Sequence, residues 1–178
     1  RSMPLLKNDA LIPDTWIHAG AEDQLPAAGD VIVPFARLQA DFETLAKRPG
    51  KLGVSLANND RAEALSTFLP RLSAIVLAFP AFSDGRAYSQ ARQIRDFGYR
   101  GELRAAGNLL PDQYQFMLRV GFDAFDVGER FTLADWQRAS RQMSLAYQRG
   151  LFRRGSEAEV WTERHSDAEP WLEQPHAG

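Results

Sequence analysis

Ser83-Asp84-Gly85-Arg86 brings a hydroxyl, a carboxylate and a guanidinium together within four residues, between an apolar run ending at Phe79 and a helical pattern starting near Gly85. A turn that follows a strand and opens a helix lies at the carboxyl edge of a parallel sheet, where α/β proteins bind ligands. Free helix-start N–H groups and Arg86 can there hold a small oxyanion such as sulfite, sulfate or phosphate. The same residues have a structural use: Ser83 or Asp84 caps the helix, Gly85 permits close packing and Arg86 forms an ion pair. Tyr88 shares a helical stripe with Ala87, Ala91 and Ile94, as core or within reach of such a ligand, while Arg86, Gln90 and Gln93 fall on other faces.

Arg104 lies inside a strand pattern that puts Leu103 and Ala105 on one face and Glu102, Arg104 and Ala106 on the other. A buried Arg needs a carboxylate, with Asp84, Asp112 and Asp123 as candidates, and the pairing serves either structure or substrate. Gly107-Asn108 ends that strand at the edge that carries Ser83. Pro111-Asp112-Gln113 opens a helix, where Asp112 and Gln113 are helix-start residues or pocket polar groups. The candidate ligand set is therefore Ser83, Asp84, Gly85, Arg86, Tyr88, Arg104, Asn108 and Gln113, with Asp84 and Asp112 as candidate acids or bases. Asp123 and Asp126 cap, pair or act directly.

Phe79-Pro80, Asp84-Gly85-Arg86 with Tyr88-Ser89 and Ala91-Arg92, Gly101-Glu102-Leu103-Arg104-Ala105 with Gly107, Asp112-Gln113 and Gly121-Phe122-Asp123-Ala124-Phe125 follow in that order. The ordered set resembles the bacterial family called domain of unknown function 934, labelled an oxidoreductase or accessory protein of sulfite reduction. The resemblance implies a place in sulfur assimilation, with sulfite reductase components as partners. Asn108 departs from the pattern, which has Asp there, and so removes a carboxylate.

These residues must be positioned by alternating apolar and helical stretches. Strands are expected over residues 31–35, 52–56, 74–79, 102–106 and 124–127, and helices over 38–47, 62–69, 85–97, 111–120 and 133–147. Thr132 with Asp135 forms a capping box for the last helix, whose stripe is Leu133, Trp136, Ala139, Met143 and Ala146. Asn8-Asp9, between short apolar runs, predicts an N-terminal β-hairpin ending near Asp14-Thr15-Trp16 that serves as an edge or lid. The fold class is α/β: about five βα units on a mostly parallel sheet, partly barrel-like, with an open doubly wound sheet as the alternative. One domain spans 3–148. Residues 149–178, acidic and carrying Trp161 and Trp171, read as a flexible or docking tail.

A chain of 178 residues, 44% hydrophobic, can bury a sizeable core. Its net charge of -2 gives no basic field for nucleic acid or anionic membrane. Arg1 and Ser2 precede Met3, which reads as the natural start, and no apolar run is long enough to span a bilayer, so a cytoplasmic protein is expected. With no cysteine, disulfide, thiolate and Cys-based metal chemistry are excluded. His18, His165 and His176 are too scattered for a metal set, no dinucleotide or P-loop motif is present, and the cofactor stays open. Three readings remain: an accessory protein of sulfite reduction that holds a small anion or sulfite reductase, a small α/β enzyme (oxidoreductase or acid/base catalyst) acting on an anionic molecule, or an interaction module whose tail docks on a partner through Trp161 and Trp171. A raised Asp within a closed pocket favours the second.

Overall fold

The computed structural model describes residues 4–141, and those up to Ser140 belong to one compact unit. Met143, Ala146, Tyr147, the division after residue 148 and the tail with Trp161, His165, Trp171 and His176 lie outside the described residues.

Strands β1 (Pro4–Lys7) and β2 (Ala10–Pro13) form the expected hairpin. Asn8 and Asp9 both take positive φ, 51° and 59°, as a two-residue hairpin turn matching the strand twist requires. The next elements are β3 (Ile17–His18), β4 (Val31–Pro34), α1 (Phe35–Ala46), β5 (Leu52–Leu56) and β6 (Leu72–Phe79). Then come α2 (Arg86–Asp96), β7 (Glu102–Gly107), α3 (Tyr114–Val120), β8 (Ala124–Asp126) and α4 from residue 133. Thr132 and Asp135 close the capping box reciprocally, the Thr132 N–H donating to Asp135 Oδ2 at 2.9 Å and the Asp135 N–H to Thr132 Oγ1 at 3.3 Å. The helix expected over 62–69 is instead two 3-10 turns, Ala62–Leu65 and Leu69–Arg71, the second holding Pro70 in its first turn.

The eight strands form one sheet in the order β2-β1-β8-β7-β6-β5-β4-β3. Strands β3 to β8 run parallel, whereas β1 pairs antiparallel with both β2 and β8. The sheet is mixed rather than mostly parallel, because the hairpin joins it beside the last strand. From β3 to β8 the order follows the chain without reversing, so there is no switch point and the open doubly wound alternative fails.

Chain length shows that the sheet is curled. Its two edge strands, β2 and β3, are consecutive in sequence and joined only by Asp14, Thr15 and Trp16. A link from Pro13 to Ile17 reaches at most about 14 Å. Eight flat strands would hold the edges about 34 Å apart. The sheet therefore bends into a half-barrel and residues 14–16 strap its open side.

The period of two then separates two environments. Val31, Val33, Val54, Leu56, Ile75, Leu77, Phe79, Leu103, Ala105 and Phe125 join a buried core with Leu38, Leu45, Ala87, Ala91, Ile94, Met117 and Trp136 from the helices. The alternate residues face the interior: Ile32, Gly53, Ser55, Ala74, Val76, Ala78, Glu102, Arg104, Ala106, Ala124 and Asp126. Most of these are small, and Ile32, Ala74, Val76, Arg104 and Ala124 are buried.

Candidate functional site

The loop from β6 to α2 carries most of the residues expected to bind, and there they satisfy one another. Arg86 donates to Asp84 through Nε at 3.0 Å and Nη2 at 2.9 Å, a bidentate pair, and its backbone N–H reaches Asp84 Oδ1 at 3.0 Å. Asn58 Nδ2 donates to Asp84 Oδ2 at 2.6 Å. These donors, Arg86 first, hold the Asp84 carboxyl well below its ordinary value. Gly85 is the N-cap of α2 with no side-chain cap, and Ser83 is exposed.

Gly107, at φ 109°, brings a Cβ position to 2.5 Å from the Phe79 carbonyl oxygen, an approach only glycine permits. Asn108 then donates from its backbone to Phe79 O at 2.8 Å and from Nδ2 to Pro80 O at 2.6 Å, and Gln113 Nε2 donates to Phe82 O at 2.7 Å. Asn108 and Gln113 thus clamp the loop. Tyr88 packs against Phe79 and Phe116, its hydroxyl buried without a hydrogen-bond partner among the described residues and pushed up by burial. Asp112 is exposed in a 3-10 turn, Pro111–Gln113, ahead of α3. Gln90 departs from its expected outer face: it is buried and donates to Ala57 O at 2.9 Å and Asp60 O at 2.7 Å.

Arg104 does not join that loop. It faces the interior, 3% exposed, and its partners are none of the three expected acids. Nη1 donates to Asp14 Oδ1 at 3.0 Å and Nε to Glu102 Oε1, while the guanidinium carbon lies 5.4 Å from the centre of the Trp16 ring. Asp123 serves elsewhere, accepting from Arg95 Nη2 at 2.6 Å and the Leu103 N–H at 2.9 Å. Glu102 also accepts from Lys7 Nζ at 2.5 Å, and Asp14 accepts from the Trp16 N–H at 3.1 Å and faces His18 Nε2 at 2.7 Å. Trp16 is half-buried above Gly53, where a Cβ would lie 3.2 Å from the indole. The missing side chain on β5 is what seats the strap.

The carboxylates of this interior differ in character. Burial raises the proton affinity of Asp14, but the hydrogen bonds from His18, the Trp16 N–H and Arg104 outweigh it and hold the carboxyl below its ordinary value. Glu102 is likewise lowered: burial opposes, and Lys7 and Arg104 prevail. Asp126 goes the other way. Burial pushes it up, with the Asp14 carboxylate adding to the rise, against the Gly128 N–H, Arg104 and His18 when that ring is protonated. Its Oδ1 is buried with no hydrogen-bond partner among the described residues. Its register partner on β1 is the buried Leu5, and one step beyond the Ala105–Phe125 pair β7 carries Ala106, itself opposite Ala78 on β6.

The sequence reading passed over Lys7, Asp14, Trp16 and His18 as site residues. The available signal was the charge inside strand β7, which demanded a remote acid, together with the lid expected near Asp14. Among the described residues no three or more His, Asp or Glu side chains are grouped to hold a metal ion, and no helix is long and apolar enough to cross a membrane.

A curled α/β half-barrel with a strapped polar interior is the class that fold and site define. Within it, residues 53–156 match the model of a family described as bacterial protein of unknown function (DUF934), and the chain belongs to that family. The matched span contains Glu102, Arg104 and Asp126 and begins after the strap. No curated protein and no solved structure matches the chain.

Proposed function

We propose that the chain is a cytoplasmic accessory protein of assimilatory sulfite reduction whose working surface is the carboxyl mouth of the half-barrel, where a small polar molecule meets Asp126. One observation carries the site: a buried carboxylate oxygen at the end of a parallel strand with no hydrogen-bond partner among the described residues, in an interior where Glu102 and Arg104 are paired. The sulfite setting is supported by the family resemblance alone. Burial raises Asp126, and His18 nearby adds a second polar contact.

The loop at Ser83, Asp84, Gly85 and Arg86 supports oxyanion binding less well, since the Arg86 guanidinium already meets Asp84 on two edges. Sulfite reductase components are the proposed partners. The test is growth of a strain lacking the gene on sulfate, sulfite, sulfide or cysteine as sole sulfur source. Rescue by sulfide but not sulfite places the protein at sulfite reduction. Normal growth on all four removes the pathway and leaves only the site.

A second reading, an enzyme acting on an anionic small molecule, gains from the same Asp126. Asp126, which burial raises, lies in the interior, so acid or base work falls to it in this reading. Turnover of a candidate substrate that Asp126→Asn abolishes while binding persists would favour the enzyme.

A further inference from the structure

His18 closes a chain of paired charges that starts at the opposite side of the sheet. Lys7 Nζ meets Glu102 Oε2 at 2.5 Å, Glu102 Oε1 accepts from Arg104 Nε, Arg104 Nη1 meets Asp14 Oδ1 at 3.0 Å, and Asp14 Oδ2 faces His18 Nε2 at 2.7 Å. Arg104 is buried at the centre, while the His18 side chain is 51% exposed at the end. Asp14, held as a carboxylate by Arg104 and the Trp16 N–H, can only accept, so the His18 proton must sit on Nε2. In the neutral ring Nδ1 is then the lone-pair nitrogen, on a side chain that is half exposed. A carboxylate that fixes a histidine tautomer and offsets the charge formed on protonation is the arrangement that makes an imidazole a proton acceptor.

We propose that His18 is the proton-accepting residue of the interior site, acting through Nδ1, with Asp14 as its positioning residue and a small molecule bearing an acidic O–H or N–H as the ligand. The proposal rests on the Asp126 reading, because the ligand is the small polar molecule proposed to meet Asp126. The ligand's X–H bond breaks, an N–H bond forms at His18 Nδ1, and Asp14 balances the imidazolium. The ligand leaves as its conjugate base, and His18 then returns the proton to solvent. The charged groups around the pair are Asp14 and Arg104 for both residues, with Glu102 and Lys7 one step further along the chain.

The experiment is long-range nitrogen–proton NMR on the full chain with nitrogen-labelled histidine, His18 assigned by His18→Gln. Diethyl pyrocarbonate, which reacts with an unprotonated imidazole nitrogen, is the chemical probe, mapped by peptide mass. The expected result is an Nε2–H tautomer in the parent protein and carbethoxylation of His18. In Asp14→Asn the tautomer preference is expected to fall about tenfold, the loss of one charge-assisted hydrogen bond, with recovery in Asp14→Glu. An Nδ1–H tautomer in the parent protein overturns the proposal without any variant. So does an unchanged tautomer in folded Asp14→Asn. Carbon-13 titration of the Asp126 carboxyl separates the two readings: an ordinary value there sinks the Asp126 site, whatever tautomer His18 shows.

Discussion

Two polar regions of this half-barrel use the same residue types to opposite ends. At the α2 start, Asp84 and Arg86 lie two positions apart and satisfy each other at the surface. In the interior, Arg104 finds Asp14 across ninety positions of chain, and Asp126 has an oxygen without a partner among the described residues. A local pair needs only a turn to form, so it reports little beyond that turn. A remote pair forms only if the whole sheet closes, and a polar group stranded within it has survived an unfavourable placement. Chemistry is the more economical explanation for the second kind.

Replacing Arg104 should separate the regions most sharply. Arg104→Met leaves Asp14 and Glu102 facing each other without their shared cation, and a loss of about 3–5 kcal/mol in urea unfolding is expected. A loss below about 1 kcal/mol, the scale of a surface pair, would make the two regions equivalent. Trp16→Ala removes the indole from its seat on Gly53 and from the Arg104 guanidinium. A half-buried aromatic of this kind is worth about 2 kcal/mol, and greater exchange of the backbone amides of residues 14–18 should accompany the loss.

Asp126 offers a test of sign. Its folded-state value lies above the ordinary 3.8, so its contribution to stability is fully present below that pH and is lost as pH rises through the folded value. Asp126→Asn copies the protonated form and removes the titration. The variant should therefore be more stable than the parent at pH 7, with the gap closing toward pH 4; a variant equally stable at both would return Asp126 to the ordinary. Arg86→Ala is the smallest change: the unfolding midpoint at pH 7 should match the parent. A large drop would mean that the exposed pair anchors more than the turn.

Much of the frame was legible in residues alone. The five strands β4 to β8 announce themselves through β-branched and apolar runs, the hairpin through Asn8-Asp9, and α4 through Thr132 and Asp135. Alternation across β7 also placed Arg104 on a polar face. What local pattern could not give was the partner. Ile17 and His18 form too short a strand to show a period, and Asp14 reaches Arg104 only because the sheet curls. Gln90 illustrates the same limit, buried against its polarity because the carbonyls of Ala57 and Asp60 need a donor.

The strap carries a mechanical consequence. A closed barrel hides its edges by pairing its last strand with its first, so the ring is sealed by hydrogen bonds that can open and reform. Here the two edge strands are chain neighbours, and Asp14, Thr15 and Trp16 seal the ring covalently, like a clasp on a cuff. Widening of the cuff is limited by the reach of that clasp, so any molecule larger than its span must enter along the barrel axis rather than through the side.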